Sequence, residues 1–387
     1  MALADIDLAL VPPPIDTDPG PEYGNTQRRF QGIPGIERAP NGRLWVTWYA
    51  GGADEPGEGP GNYVLLVTSH DDGLSWSKPK LVIDPPEDVR AYDPMLWLDP
   101  TGRLWLFWAQ SRGTYDGRAG VWCITTDQPG ASDPAWSAPR RIANGVAMNK
   151  PTVLANGEWH LPIGVWVRPP SSNAPEAFRF NLRDEIGSAT WVSTDEGSSW
   201  SFRGRADVPN RSFDEHMIVE RRDGSLWMLV RTHYGIGQSV SRDGGRTWSP
   251  GEPSGIPHVC SRFFIRRLRS GRLLLVRHNP ADGAFADGTS GGRRSHLTAY
   301  LSDDDGVTWR GGLLLDERYS VSYPEGVEAE DGRLFIVYDH DRKGDREILL
   351  AVVTEEDVSA GELVSPGSRL KVLVDKATFE GDGADAR

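Results

Sequence analysis

The chain has only two cysteines, Cys123 and Cys260, in 387 residues. Neither stands at a metal-ligand spacing and both lie in apolar, strand-like contexts, so a disulfide scaffold is excluded and two buried free thiols are expected. No stretch approaches 18 consecutive apolar residues, which excludes a membrane-spanning helix. The opening "MALADIDLALVPPP" lacks the basic segment of a secretory signal, so a cytoplasmic protein is expected. Positive charge is also scarce: 42 Lys and Arg against 55 Asp and Glu give a net charge of −13, which argues against nucleic acid or an anionic membrane as partner. Anion binding would have to come from a local cluster of arginines. No grouping of His, Cys and Asp has metal-ligand spacing, and neither a metal nor another cofactor is expected.

Turn chemistry and repeats are abundant. The chain carries 44 Gly, 29 Pro and 15 Trp, scattered as punctuation between short strands rather than gathered in a linker. The octet "SRDGGRTW" at 241–248 returns as "SHDDGLSW" from Ser69, "STDEGSSW" from Ser193 and "SDDDGVTW" from Ser302. In such a turn Asp accepts backbone hydrogen bonds, Gly takes positive φ and Trp packs back on the sheet, so the motif reads as a hairpin clamp and not as chemistry. A second repeat places a glycine turn before an apolar strand six times, at Gly42, Gly102, Gly157, Gly224, Gly271 and Gly332, spaced by 47 to 67 residues. That spacing suits four short antiparallel strands per unit. The expected fold is all-β: a six-bladed β-propeller of four-stranded antiparallel blades with Asp-box turns over residues 26–375, preceded by an extension (1–25) and followed by a tail (376–387).

A propeller gathers its site where the inner strands meet, so site residues should be scattered along the chain. In "DEHMIVERRDGSLWMLVR" Glu215 precedes Arg231 by 16 positions across one hairpin; Arg294 stands eight residues before the box residue Ser302; and in "SVSYPEGVEAEDGRL" Tyr323 stands eight residues before the turn. Together with the Asp boxes, these residues resemble the sialidase (neuraminidase) superfamily over about residues 28–350. The resemblance implies Tyr323 as nucleophile, Glu215 as the carboxylate that takes its proton, and Arg231 and Arg294 as a carboxylate clamp, with Arg293 as the alternative to Arg294. A phenol of pKa near 10 needs such a base, and a neutral tyrosine approaches an anionic sugar without the repulsion a carboxylate nucleophile would meet. Further polar candidates for the pocket are Asp93 in "YDPM", which resembles a family element of the second blade, and Asn149 and Lys150 in "MNKPTVL". His160, His216 and His278 read as structural.

Two positions depart from the family. Gly32 in "FQGIPGIE" stands where the resemblance implies the first clamp arginine, leaving two arms unless Arg28 or Arg29 reaches back. The loop "AGGADEPGEGPGN" offers Asp54, Glu55 and Glu58 where the acid/base is expected; Glu58 is taken as that residue and Asp54 as a pocket residue. Three functions remain open. The first is a retaining exo-glycosidase acting through a tyrosyl-enzyme on terminal sialic acid or a related acidic sugar of a glycan; the second is a sialidase-like propeller for another sugar, such as a rhamnosidase or uronate-processing enzyme; the third is a carbohydrate-binding propeller without catalysis.

Overall fold

The Asp box folds as a closed hydrogen-bond ring. In the third of the four, Asp243 Oδ1 accepts from the Ser241 hydroxyl and the Thr247 amide and Asp243 Oδ2 from the Thr247 hydroxyl, at 2.8, 2.9 and 2.6 Å, while the Trp248 indole donates to Gly245 O. The boxes at Asp71, Asp195 and Asp304 repeat the Ser–Asp–Ser/Thr bonding. Their glycines Gly73, Gly197, Gly245 and Gly306 all have φ between 78° and 87°, a conformation that favours glycine. Because Asp243 sits at an exposed turn that only ties a hairpin, Asp243→Ala should lower the melting temperature by a few degrees and leave kcat per folded molecule unchanged, read by a thermal melt beside a progress curve.

The structure, a computed structural model, describes residues 6–280, 293–379 and 381. Six antiparallel sheets follow one another along the chain, each built from consecutive strands. Five have four strands; the first gains a fifth because Ile15–Asp16 of the N-terminal extension pairs with Leu81–Ile83. The strands that begin the blades are Phe30–Arg38, Val89–Leu98, Thr152–Val153, Met217–Glu220, Phe264–Arg267 and Val321–Glu328. Those of blades 1 and 2, 3 and 4, 4 and 5, 5 and 6, and 6 and 1 lie against each other, which puts them on the axis. The single α-helix among the described residues, Glu355–Ala360, hangs from the sixth blade on a Thr354–Asp357 capping box. No described helix is long and apolar enough to cross a membrane.

Apolar residues fill the spaces between blades. Trp45, Leu66, Leu81, Leu104 and Leu106 pack between the first two, and Trp159 of the third meets Trp97 and Trp105 of the second edge to face, with ring centroids 4.8 and 6.5 Å apart. Both cysteines are buried and free. The ring closes between first and last blades through polar contacts: Arg28, fully buried, binds Asp375 and Tyr23 O, and Gln31 donates to Arg346 O and Asp375. Arg28 is therefore spent on closure and does not reach back past Gly32.

Candidate active site

Three of the inner strands share a device. At Ile33, Asp93 and Tyr323 the register slips, between residues 32 and 35, 92 and 95, and 322 and 325. Each residue precedes a proline and has φ of 60°, 48° and 52°. Positive φ is costly for residues with a Cβ, most of all a β-branched one, and is kept where the fold over-determines it. All three side chains line one axial cavity of about 160 Å³. Glu215, also at positive φ (45°), follows two further positive-φ residues, Phe213 and Asp214, and faces the same space.

The cavity joins residues far apart in sequence. Tyr323 donates its phenolic hydrogen to Glu215 Oε1 at 3.0 Å, and Arg231 Nη1 reaches that oxygen at 2.6 Å and the Tyr323 oxygen at 3.2 Å. Burial and then the Glu215 charge push the Tyr323 phenol above its ordinary pKa, so it rests protonated. The Arg294 guanidinium stands 5.4 Å from the Tyr323 ring centroid and Nη2 donates to Cys260 O, whereas Arg293 is exposed. The trio and Arg294, which the resemblance implies, thus lie around one cavity. An aromatic wall completes the pocket: Trp166 lies 6.2 Å from Tyr92 and 5.1 Å from Phe213, and Arg231 covers the Phe213 ring at 5.1 Å.

Two carboxyl groups face the tyrosine from the first and second blades. Glu58 rides on the loop 52–61, stapled by Asn62, which accepts from Gly59 N and donates to Gly57 O. Its Oε1 accepts from Arg342 Nη1 at 2.8 Å. Burial is the largest single influence on the Glu58 carboxyl and raises it, but Arg342 and then Arg90 together outweigh it and hold the group below its ordinary value. Asp93 is 4 % exposed. Burial pushes its carboxyl up to about 8, against the pull of Arg90 and with the Glu58 charge adding to the rise.

Three expected pocket residues lie elsewhere. Asp54 is exposed on its loop and does not line the cavity; the tight turn there is closed by Glu55, which accepts from Gly61 N. Asn149 and Lys150 sit beneath the floor. Asn149 donates to the carbonyls of Glu215 and His216, both at 3.0 Å, and Lys150 binds Glu37 at 2.7 Å. Arg262 links Asn149 to Glu325, so the network holds the Glu215 backbone in place and cannot reach a ligand above it. The three histidines are bonded within the sheets, His160 beside Thr190, His216 to Ala189 O and His278 to Val321 O. His340, Asp345 and Glu347 bring three ligand atoms together, but Arg318 and Lys376 already pair with Glu347.

Sequence reasoning missed Arg90, Trp166, Arg168 and Arg342, all on the cavity wall. Arg342 had one signal: the glycine at 32, which leaves room for something. With Arg90, Arg168, Arg231, Arg294 and Arg342 against Glu58, Asp93 and Glu215, cations outnumber acids here in a chain of opposite net charge.

The pattern that defines the BNR repeat-like domain matches residues 42–336. The chain belongs to the BNR repeat-like family. No curated relative matches it in sequence. Among solved structures, this BNR-repeat propeller is similar to a protein of unknown function from Dyadobacter fermentans (17 % identity over 83 % of this chain and 93 % of that one, TM-score 0.62). It is also similar to the intramolecular trans-sialidase of Ruminococcus gnavus (15 %, 88 % and 97 %, 0.62) and to an α-L-arabinanase of Penicillium chrysogenum (14 %, 90 % and 97 %, 0.56). At these identities the likeness is one of fold, the six-bladed propeller, and not of activity.

Proposed function

We propose that the protein is a retaining exo-glycoside hydrolase that removes a terminal acidic sugar, sialic acid or a relative, through a tyrosyl-enzyme. The observation that carries this reading is the Tyr323–Glu215–Arg231 cluster, in which one carboxylate oxygen is within hydrogen-bond reach of both the phenol and the guanidinium. As Tyr323 Oη attacks the anomeric carbon and the bond to the leaving oxygen breaks, its proton passes to Glu215 Oε1, and Arg231 stabilises the charge that develops between them. Water then attacks the anomeric carbon, the tyrosyl bond breaks, and Glu215 returns the proton to the phenolate.

The leaving oxygen needs a proton, and we assign its delivery to Asp93 rather than to Glu58. Glu58 is held ionised by Arg342, while Asp93, raised to about 8 and without a hydrogen bond among the described residues, keeps its proton at neutral pH. The same carboxylate, once ionised, is the base for the incoming water. Beside Trp166 and Arg168 the cavity adjoins a wider cleft of about 610 Å³ that includes Phe180 and Arg183, which suits a leaving group that is itself a glycan. The excess of arginine favours an acidic sugar over rhamnose or another neutral one.

A panel of 4-nitrophenyl glycosides of N-acetylneuraminic acid, glucuronic acid, rhamnose and arabinose tests this reading. Release from an acidic member, with little from the neutral two, is expected; release from rhamnose or arabinose alone would overturn it in favour of another sugar, and no release from any would favour a binding propeller.

A further inference from the structure

We infer that Arg342 supplies the carboxylate-binding arm missing at Gly32, from the sixth blade instead of the first, and that Gly32 is the residue that admits it; this rests on the acidic-sugar reading above. A Cβ placed on Gly32 would lie 2.2 Å from Arg342 Cδ, 2.4 Å from Cγ and 2.9 Å from Asp339 Oδ2. Such separations are far inside van der Waals contact. The arginine stem therefore runs through the volume that any side chain at 32 would take.

The backbone fixes this placement across the ring closure. Arg342 follows the strand Arg333–His340, and its carbonyl accepts from Gln31 N at 3.2 Å, one residue before Gly32. Asp341 turns the chain at φ 42° and accepts from Arg346 N. Asp339 is itself occupied, accepting from Ile33 N at 2.7 Å and from the Ser322 hydroxyl, so it braces the stem and the two bulges on either side. The head is delivered to the site: Nη1 is 2.8 Å from Glu58 Oε1, and the guanidinium carbon is 5.2 Å from the Tyr323 ring centroid, close to the 5.4 Å of Arg294. With 22 % of its side chain exposed, Arg342 is open toward the mouth of the cavity. Arg231, Arg294 and Arg342 thus surround the tyrosine from three blades. Arg342 alone also holds an acidic partner at the mouth, Glu58, which keeps the guanidinium oriented before a ligand arrives.

Binding without turnover tests the assignment. Isothermal titration of N-acetylneuraminic acid and of its methyl ester into the wild-type protein, Arg342→Met, Arg342→Lys and the exchange variant Gly32→Arg/Arg342→Gly separates charge recognition from packing; methionine keeps most of the stem, and a thermal melt checks each fold. Arg342→Met should weaken the acid by about 10- to 100-fold, the order for one charge-assisted contact, and leave the ester nearly unchanged. Lysine should recover part of the loss, and the exchange should restore preference for the acid. Equal loss of acid and ester, or no loss, overturns the role of Arg342 while a wild-type preference for the acid leaves the acidic-sugar reading intact. A wild-type protein that does not distinguish acid from ester overturns both.

Discussion

Tyr323→Phe should lower kcat/KM on the acidic glycoside by about 10⁴-fold or more, the scale on which loss of one member of a nucleophile–base unit acts, and it should do so without unfolding the protein. Only one oxygen is removed. Glu215 Oε1 keeps its 2.6 Å contact with Arg231, the ring keeps its place between Arg294 and Arg342, and phenylalanine meets the same φ of 52° at the same cost as tyrosine. Loss of a hydrogen bond at a 5 % exposed position is worth about 1 kcal/mol. A covalent readout distinguishes nucleophile from bystander: a 3-fluoro acidic glycoside that forms the intermediate quickly and releases it slowly should add the mass of one sugar to a peptide containing Tyr323, and should add none to the variant. Label on Glu215 or Asp93, or wild-type turnover by the variant, would sink the assignment.

What was legible in the sequence is what short-range chemistry controls. The Asp boxes and the six glycine turns specify hairpins locally, so blade number and strand order could be read directly; Glu215, Arg231 and Tyr323 could be singled out because the family resemblance implies those residue types at set distances from those turns. The rest depends on level along the axis and on closure. Asn149 and Lys150 stand at the inner edge as expected, but they point below the floor to Glu215 O and Glu37, since spacing places a residue beside the axis without telling which end it faces. Ile33, Asp93 and Tyr323 precede prolines, and a residue in that position is ordinarily extended; their turn to positive φ is enforced by bulges that only the paired strands reveal. Arg342 lies 310 positions from Gly32 and meets it only because the last blade packs against the first. The gap was visible in the sequence, but its filler was not.

Asp93→Asn should divide catalysis from stability in opposite directions. Its carboxyl, about 8 in the folded protein against about 3.9 in an unfolded chain, binds its proton more tightly when folded. The stability this contributes is complete below about pH 4, declines as pH rises, and is gone once pH has passed through about 8. Asparagine carries no such dependence, so the variant should gain stability on the wild type across this interval, by an amount on the order of 3 kcal/mol for a shift of several pH units discounted for relaxation, seen as a melting temperature that rises relative to that of the wild type. Parallel melting curves from pH 5 to pH 9 would contradict the buried, protonated acid. In catalysis the wild-type kcat/KM on a natural glycan, whose leaving oxygen must be protonated, should fall on the alkaline side with an apparent pKa near that of Asp93, and Asp93→Asn should cost about 10²- to 10⁴-fold. On a 4-nitrophenyl glycoside the leaving group departs without help, so kcat/KM should lose far less and the alkaline limb should flatten. Glu58→Gln supplies the contrast: if it, and not Asp93→Asn, shows the loss on poor leaving groups and spares good ones, the proton donor sits on the first-blade loop, and the Arg342 contact must open before the donor can act.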